Sequence, residues 1–462
     1  MDRITKALTD FASGLTYEHL SDTLVHSATQ RLVDSIGCAL AGHACDGAQV
    51  GRRLAAGQTG GKFSGLVLFH GEHTSLEAAT FVNTAMIRAL DFNDRYPGGH
   101  PSDCLGALLA VAGAMSRDGE RPDGKRSDGK RFLTSMVVIY EIFARLSDSA
   151  RLSRRGWDQG YAIAVSTAAG ICNFLGLSHA ASANAIGIAA ASNLPLRVTR
   201  SGELTAWKNA ATAYAARNGV FAALLASEGM AGPGSAFEGR NGLWENVTGP
   251  FELQPFPNAG GPALTPQVQL KYWPVETNAQ PVIWAALDLR QKVDWHDLRE
   301  IEVFTSKFTQ FEIGSEPEKW DPQTPETADH SLPYIFARAL VSGPINAASF
   351  TPDMVRDQGL RPLMATIKVT IDEAIEALLP RVKLRVKATR HDDSVVVVEV
   401  DNPLGHPDNP MDDHAINAKF MSSAEPLIGP QRAQAILDGW WNVKDGEDMA
   451  SLFDLLDMKA VK

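Results

Sequence analysis

A succession of apolar runs with helical spacing dominates the first half of this 462-residue chain. Between Leu20 and Leu40, apolar side chains recur every fourth residue, and Gly42 follows them as a stop signal. The same spacing predicts further helices at Leu76–Leu90, Leu105–Met115, Leu133–Leu146, Tyr161–Leu175, Ala180–Ser192 and Trp207–Ser227. Many of these runs are rich in alanine and glycine, which lets helices pack closely. The first half therefore predicts one large all-α domain.

The pattern changes after the glycine- and proline-rich stretch Gly249–Pro266. Alternating or continuous apolar residues predict strands at Ile301–Thr305, Ile367–Thr370, Val382–Val386 and Val395–Val400. Helical runs lie between and after these strands, at Pro281–Leu289, Ser331–Val341, Asp412–Met421 and Pro430–Trp440. The last two follow Pro410, and we expect them to return to the first domain.

The length of the chain exceeds what one hydrophobic core usually serves, so two domains are expected. We predict a mostly α protein in which residues 1–265 form a large all-α helical domain, completed by residues 403–462. Residues 266–402 are expected to form a smaller, inserted α+β lid domain. Clefts between domains commonly bind small molecules, so we expect the active site between the two.

The composition excludes several classes of function. The chain is 44% hydrophobic and 21% charged, as in an ordinary globular protein. Its formal net charge of −11 argues against a nucleic-acid surface, although a local basic pocket for a small anion is compatible with it. The amino terminus lacks the apolar core of a signal peptide, and no segment approaches a membrane span. We expect a cytoplasmic protein that binds neither nucleic acid nor a membrane.

The cysteines and histidines show no pattern of a metal or cluster site. Cys38, Cys45, Cys104 and Cys172 have neither a CxxC pair nor a regular disulfide spacing, and their apolar surroundings predict buried thiols. This spacing also excludes an Fe–S cluster. His330 has no second histidine or cysteine at ligand spacing, so we predict no metal site and no cofactor.

The segment Ser116–Arg131 contains two near-copies of one pentapeptide, PDGKR and SDGKR. Its Asp-Gly pairs and charges predict an exposed, turn-rich loop. A basic ligand site there is conceivable, but a solvated insertion is the favoured interpretation because blocks of exposed charge usually only interact with water.

The densest polar cluster of the chain spans Ala89–Asp103, between two apolar helices. Loops held between rigid elements commonly carry reactive groups. This one supplies two candidate acid/base residues, Asp91 and His100, and the guanidinium of Arg95, which could grip a carboxylate with two hydrogen bonds. The local pattern also fits a helix cap at Asp91 and a turn at His100, and it does not decide between these interpretations.

The segments Asp91–Asp94 and His100–Asp103 resemble the DFND and HPSD motifs of the MmgE/PrpD family. Further matches follow in order at Gly156–Asp158, Lys208–Ala210, Ala215–Gly219, Gly229–Pro233, Phe237–Gly239, Lys271–Glu276 with Gln280, Ala328–Tyr334, Asn409–Met411 and Lys419–Phe420. Collinear matches over nearly the whole length make the resemblance specific.

The family includes 2-methylcitrate dehydratases, cis-aconitate decarboxylases and iminodisuccinate epimerases, which act on small di- or tricarboxylates without a metal. The resemblance therefore implies carbanion chemistry. Removing a proton next to a carboxylate adds negative charge to that carboxylate, and fixed cations must stabilise this charge in the transition state.

The resemblance also assigns residues. It places Asp91, His100, Lys208, Lys271 and Tyr334 at the family's catalytic positions. We further expect Asn93, Arg95, Ser102 and Asp158 to bind substrate. The sequence does not tell which of Asp91 and His100 is the base.

Two positions bear on the substrate. Arg95 stands where dehydratases often have threonine, and this bulky cation leaves the identity of the substrate open. Asp158 resembles the dehydratase pattern, whereas cis-aconitate decarboxylases tend toward histidine nearby. We therefore expect a metal-independent lyase that dehydrates a 2-methylcitrate-like hydroxy-tricarboxylate.

Three alternatives remain: a cis-aconitate decarboxylase, an epimerase of an imino- or amino-dicarboxylate with two opposed bases, and an inactive polycarboxylate-binding paralogue. The resemblance also implies a homodimer formed through the helical domain.

Overall fold

A computed structural model describes residues 1–58, 63–118 and 128–458 of the chain. Its first helices are α1 (Arg3–Gly14), α2 (Asp22–Ala41), α3 (Asp46–Ala55), α4 (Leu76–Arg88), α5 (Leu105–Asp118), α6 (Gly129–Ala150), α7 (Gly160–Leu175), α8 (His179–Ser192) and α9 (Trp207–Ser227). Helix α5 extends to Asp118 and α6 begins at Gly129, so both helices reach into the predicted loop 116–131. Residues 119–127 of that loop lie outside the described residues.

Several of these helices have a side chain that caps their first turn. Ser21 accepts a hydrogen bond from the Leu24 amide at the start of α2, and Ser75 accepts one from Ala78 at the start of α4. Each of these hydroxyls satisfies an amide that the first helical turn leaves without a partner. At its other end α7 stops at Gly176, which has φ 67° and adopts the left-handed conformation without a steric cost.

Helix α7 lies in the centre of the helical layer, and all of its residues are buried. A side chain at Gly170 would come 2.2 Å from Ile139 of α6, and one at Gly219 of α9 would come 2.6 Å from the Ala164 carbonyl oxygen of α7. These glycines therefore allow α6 and α9 to pack closely against α7. This packing fixes α9, whose first turn carries Lys208.

A short antiparallel ribbon interrupts the helical part, formed by β1 (Gly65–Val67) and β2 (Glu72–Thr74). Its register pairs Gly65 with Thr74, and Asn83 of α4 holds it by hydrogen bonds to the Leu66 carbonyl and the Leu68 amide. The expectation of a purely all-α domain is therefore wrong in this detail, because a three-residue strand is too short to produce an alternating pattern.

The glycine- and proline-rich stretch after α9 is held by two buried charged residues of α6. Glu141 accepts hydrogen bonds from the amides of Leu264 and Thr265, and Arg145 donates to the carbonyl oxygens of Pro255 and Pro262. Because the stretch has little regular structure, these side chains supply the partners that its backbone groups need when buried. The chain is thereby directed toward Lys271.

The following elements are α10 (Gln280–Arg290), β3 (Leu298–Thr305), α11 (Lys307–Gly314), α12 (Pro325–Ala328), α13 (Leu332–Ser342), α14 (Pro352–Val355), α15 (Arg361–Met364), β4 (Ile367–Ile371), α16 (Glu373–Glu376), β5 (Lys383–Arg390) and β6 (Val395–Asp401). The strands form one sheet in the order β4-β3-β5-β6. Strand β3 is parallel to β4, with Ile301 opposite Ile367, and the other two pairings are antiparallel. Helix α10 packs against β5 and β6, and α13 packs against α10.

The carboxyl-terminal helices are α17 (Asp413–Ile428), α18 (Pro430–Trp441) and α19 (Ala450–Leu456). Helices α17 and α18 pack against α2, and their apolar residues join the same hydrophobic cluster as α1–α9. A second cluster, from Trp273 to Val398, contains the sheet and its helices. The protein is mostly α-helical, and two hydrophobic cores meet near residue 271.

None of the cysteines in the described part of the chain forms a disulfide. Cys38, Cys104 and Cys172 are buried, and Cys45 is partly buried. Among the helices of the described ranges, none combines the length and the apolar character needed to cross a membrane.

Candidate active site

The candidate site is built around the loop that joins α4 to α5. After α4 ends at Arg88, the backbone turns at Asp91, which has φ 48°. Aspartate tolerates this left-handed conformation better than most residues because its short side chain makes local hydrogen bonds. The loop then closes through a 3-10 turn, Pro101–Cys104, that leads directly into α5.

Asp94 holds the two ends of this loop together. Its carboxylate accepts hydrogen bonds from the Ser102 hydroxyl at 2.6 Å, the Ser102 amide at 3.1 Å and the Tyr140 hydroxyl at 2.7 Å. Burial raises the pKa of Asp94 to about 6, although these donors oppose the shift. Asn93 in turn donates to Ser102 and Asp103. Asn93 and Ser102, which we predicted to bind substrate, are therefore fully buried and contact protein atoms.

The Asp91 carboxylate is surrounded by cations. Its Oδ1 accepts hydrogen bonds from Arg88 at 2.8 Å and from Lys271, and its Oδ2 lies 3.3 Å from the Lys208 Nζ. Burial alone would raise the pKa of this carboxyl, but Arg88, Lys271 and Lys208 together hold it well below its usual range. Asp91 is therefore ionised, and its lone pairs are engaged by protein donors.

His100 faces Asp91 with one ring nitrogen. Its Nδ1 lies 2.5 Å from the backbone carbonyl oxygen of Asp94, so the proton belongs on Nδ1. Nε2 then carries the lone pair and lies 3.8 Å from the Asp91 Oδ1, beyond hydrogen-bond distance. Burial and the charges of Arg88 and Lys271 lower the pKa of His100 well below its ordinary value. The ring is neutral at physiological pH and carries an available lone pair.

The structure brings Lys208 and Lys271 onto the same carboxylate, although 63 residues separate them in sequence. Lys271 also donates to the Asp91 backbone carbonyl at 2.7 Å, and burial lowers its pKa against the opposing effect of Asp91. Its position is set by the neighbouring strand-like pairing of Arg95 with Gln269. Both lysines are almost completely buried, so neither is a surface residue.

Asp329 and His330 lie just before α13 and contact Lys208. The Asp329 carboxylate contacts Lys208 at 3.1 Å and also the Nδ1 of His330. One ligand atom each from Asp91, Asp329 and His330 lies within 4.8 Å of the others, a grouping that could hold a metal ion. The Lys208 Nζ lies 3.1–3.3 Å from all three residues, so an ammonium group already provides a positive charge among them.

A cavity of about 1270 Å³ opens onto these groups. Eight of its lining residues are arginine or lysine and five are aspartate or glutamate, in a chain whose net charge is −11. Its lining includes Arg88, Lys271, His100 and His330. The arrangement can bind a small anion with several carboxylates and can present it to the Nε2 of His100.

Arg95 lines this cavity and is partly buried. Within the described ranges, its guanidinium has no hydrogen bond or ion pair, and its backbone pairs with Gln269. Asp158, which we predicted to bind substrate, instead pairs with Arg200 at 2.6 Å, and Arg200 is the residue that lines the cavity. Asp158 therefore holds the guanidinium of Arg200 in its position at the cavity.

Tyr334 is not brought into this cluster. Its ring is fully buried in the second hydrophobic core, and its hydroxyl donates a 2.5 Å hydrogen bond to the Ser349 carbonyl. Burial raises its pKa, and Tyr334 is not among the described residues that line the cavity. Tyr334, which the resemblance places at a catalytic position, therefore lies apart from the groups around Asp91, with its hydroxyl bonded to Ser349.

Four residues of the site were not predicted from the sequence. Arg88 lies three residues before Asp91, a helical spacing at which opposite charges commonly pair, and this signal could have identified it. His330 and Asp329 stand in a motif that we matched, but we gave His330 no role. No local signal marked Arg200, whose relevance follows from its contact with Asp158.

The chain is similar to several named enzymes. It is 27% identical over 372 residues to the 2-methylcitrate dehydratase of Escherichia coli strain K12, which covers 79% of this chain and 77% of that protein. It is also 27% identical over 306 residues to the 2-methylcitrate dehydratase of Salmonella typhi, but spans only 63% of that protein. A cis-aconitate decarboxylase-like protein of Aspergillus oryzae is 25% identical over 496 aligned positions, which cover 98% of this chain and 97% of that protein.

Two domain families account for most of the sequence. Residues 6–255 match the MmgE/PrpD N-terminal domain, and residues 273–443 match the MmgE/PrpD C-terminal domain. The C-terminal match begins at residue 273, where the second hydrophobic core begins, and its last part, from Met411, belongs to the first core. The chain therefore belongs to the MmgE/PrpD family.

Proposed function

We propose that this protein is a metal-independent hydro-lyase that removes water from a 2-methylcitrate-like hydroxy-tricarboxylate. The observation that carries the proposal is a neutral imidazole, His100, with an available Nε2 lone pair, in the lining of a cavity that has more cationic than acidic side chains. A hydro-lyase that removes a proton next to a carboxylate needs both a base and positive charge near the developing anion. The relatives named as 2-methylcitrate dehydratases support the substrate class.

In this proposal His100 is the base that takes the carbon-bound proton. Asp91 is a poorer candidate because Arg88, Lys271 and Lys208 stabilise its ionised form and occupy its oxygens. The Nδ1 contact with the Asp94 carbonyl oxygen fixes the ring and leaves Nε2 to accept the proton. Asp91 acts instead by holding the two lysines at one place.

The cations stabilise the charge that follows proton removal. As the carbanion forms, the adjacent carboxylate gains negative charge. The Lys271 ammonium and the Arg88 guanidinium line the same cavity as His100 and contact the same carboxylate, Asp91. Because these groups are already held by Asp91, little reorganisation is needed during the reaction. Arg95 lacks such a partner within the described ranges, so it is suited to bind a second carboxylate with two hydrogen bonds.

We propose that no metal takes part, because the Lys208 ammonium lies among the three groups that could have held one. An ammonium can balance the Asp91 and Asp329 carboxylates without a bound ion. Turnover should therefore persist after the purified protein is dialysed against a chelator. Loss of turnover that one divalent metal restores would contradict this part of the proposal.

The proposed reaction can be tested with the purified full chain on 2-methylcitrate, citrate and cis-aconitate. Alkene absorbance measures dehydration, and evolved carbon dioxide measures decarboxylation. Lys271→Gln should lower kcat by about 10²- to 10³-fold, as for the loss of one fixed donor to a developing anion. Lys292→Gln is the matched control, because Lys292 is exposed and pairs only with Asp288 among the described residues. Wild-type protein that forms no alkene from either hydroxy acid would refute the proposal.

Decarboxylation of cis-aconitate is the second candidate, favoured by the nearly full-length match to the decarboxylase-like protein of Aspergillus oryzae. Carbon dioxide released without loss of water would establish it. Epimerisation of an imino- or amino-dicarboxylate would instead exchange the carbon-bound proton with solvent, with no release of water or carbon dioxide. A polycarboxylate-binding protein without activity would bind these acids and change none of them.

We also propose that the protein is a cytoplasmic homodimer associated through the helical domain. Trp207, Tyr214 and Phe221 repeat at seven-residue intervals along α9 and are 44–48% exposed. They form one apolar stripe on a helix surface, as expected for a helix that packs against a partner. Light scattering should give the mass of two chains for the wild type, and Phe221→Asp should shift it toward one.

A further inference from the structure

We propose that His330 is a second catalytic residue, which donates the proton that leaves with the substrate hydroxyl. This inference rests on the proposed dehydration. It assigns the acid of the reaction, whereas His100 is the base. The geometry of the Asp329–His330 pair carries the assignment.

Asp329 fixes the orientation of the His330 ring. The Nδ1 of His330 contacts the Asp329 Oδ1, and two acceptors would repel each other, so Nδ1 carries a proton that it donates to the carboxylate. The Lys208 Nζ lies 3.2 Å from the same nitrogen, but an ammonium is a donor only and its hydrogen bonds go to Asp329. The role of Nδ1 is therefore settled by its neighbours.

Nε2 is the nitrogen left for proton transfer. It lies 3.5 Å from the Asp91 Oδ2, and the His330 side chain lines the cavity with 13% of its surface exposed. On the other side of the same carboxylate, the Nε2 of His100 lies 3.8 Å from Oδ1. The two imidazoles thus face one carboxylate from its two oxygens, and both reach the cavity.

This arrangement supplies the two proton transfers that dehydration requires. His100 takes the proton from the carbon next to the carboxylate and leaves a carbanion, whose electron pair forms the alkene when the hydroxyl departs. The carbon–oxygen bond breaks, and the hydroxyl takes the Nε2 proton of His330 and leaves as water. His330 enters this step as an imidazolium, with its other proton held on Nδ1 by Asp329. His100 ends with one proton more and His330 with one proton less, and exchange with solvent through the cavity restores both.

The two roles can be separated by following proton removal and water loss independently. In D₂O, mass spectrometry of the remaining hydroxy acid measures exchange of its carbon-bound proton, and absorbance measures the alkene. The full chain is compared with the variants His330→Gln, His100→Gln and His179→Gln. His179 is an exposed histidine paired with Asp10, far from the cavity lining, so it serves as the matched control.

We expect His330→Gln to lower kcat for dehydration by about 10²- to 10⁴-fold while deuterium incorporation into the substrate continues. His100→Gln should lose both activities, and His179→Gln should lose neither. Unchanged dehydration by His330→Gln would overturn the inference, and so would equal loss of exchange and dehydration. If the wild type itself forms no alkene, the proposed function fails, and the assignment of His330 fails with it. If the wild type is active and His330→Gln loses only proton exchange, the assignment of His330 alone is refuted.

Discussion

Replacing Asp91 with asparagine should destabilise the protein strongly, because this carboxylate is shared by three buried cations. Arg88 would keep a contact with Asp103 at 3.6 Å, and Lys208 would keep Asp329 at 3.1 Å. Lys271 would keep only the backbone carbonyl of residue 91, since no other carboxylate in the described ranges lies within ion-pair distance of it. The variant therefore leaves one buried charge without a counter-ion.

The expected cost follows from that single unpaired charge. Removing one partner of a buried ion pair costs about 3–5 kcal/mol, whereas replacing both partners is often close to neutral. Asparagine preserves the size of Asp91 and accepts the observed φ of 48°, so backbone strain adds little to the loss. The free energy of unfolding of Asp91→Asn should thus fall by about 3–5 kcal/mol.

Denaturant titrations of Asp91→Asn, Lys271→Met and the double variant form the assay. Methionine keeps the unbranched shape of lysine without its charge, so the double variant should recover much of the stability that Asp91→Asn loses. Activity should not recover, because both site groups are then missing. Equal stability of Asp91→Asn and wild type would refute the reasoning, as would a loss that is undiminished in the double variant.

The loss should also depend on pH in a defined direction. Arg88, Lys271 and Lys208 outweigh the burial of Asp91 and depress its pKa in the folded protein. The stabilisation is therefore complete above the unfolded-state pKa of about 3.9 and disappears as pH falls through the lower folded-state value. The difference between wild type and Asp91→Asn should stay constant near neutral pH and shrink only below about pH 4.

Three further predictions concern individual side chains. His100→Ala should lower kcat by about 10²- to 10⁴-fold with little change in unfolding. The wild-type kcat/KM should not fall as pH falls through the ordinary histidine range, because the pKa of the base, His100, lies well below it. Arg95→Thr should raise KM by roughly 10- to 150-fold with kcat nearly unchanged, because losing a charged hydrogen bond costs about 1.5–3 kcal/mol of binding free energy. A fall in kcat alone would contradict substrate binding by Arg95. Tyr334→Phe should lower the free energy of unfolding by about 0.5–1.5 kcal/mol, because the hydrogen bond to Ser349 is lost, and should leave kcat unchanged. A tenfold lower kcat would show that Tyr334 takes part in the reaction.

The sequence predicted the long helices because their apolar periodicity extends over several turns. Helices α7 and α9 lie where alanine- and glycine-rich runs predicted them. The strands β3 to β6 lie where alternating or continuous apolar residues predicted strands. The helix α3 was not predicted, since its sequence DGAQVGRRLA contains few apolar residues to show a period. The ribbon of β1 and β2 was missed for a related reason, because each strand has only three residues.

Prediction of the site depended on a different kind of information. The loop residues Asp91 and His100 stood together in a polar segment, and the structure places their reactive atoms 3.8 Å apart. Whether a side chain faces the cavity or the core, however, depends on tertiary packing that no local pattern encodes. Tyr334 and His330 show this difference, because they are four residues apart in one matched motif and only His330 lines the cavity.

The net negative charge of the whole chain and the positive charges of the cavity act over different distances. At physiological ionic strength, exposed charges separated by more than about 8 Å are largely screened, so the net charge of −11 has little influence on an anion that has entered the cavity. There the nearest groups dominate, and Arg88, Lys271 and Arg95 lie on partly or fully buried walls where screening is weaker. An acidic protein can therefore bind a polycarboxylate, provided that its cations converge on one enclosed place. The shared contacts of Lys208, Lys271 and Arg88 with Asp91 produce this convergence.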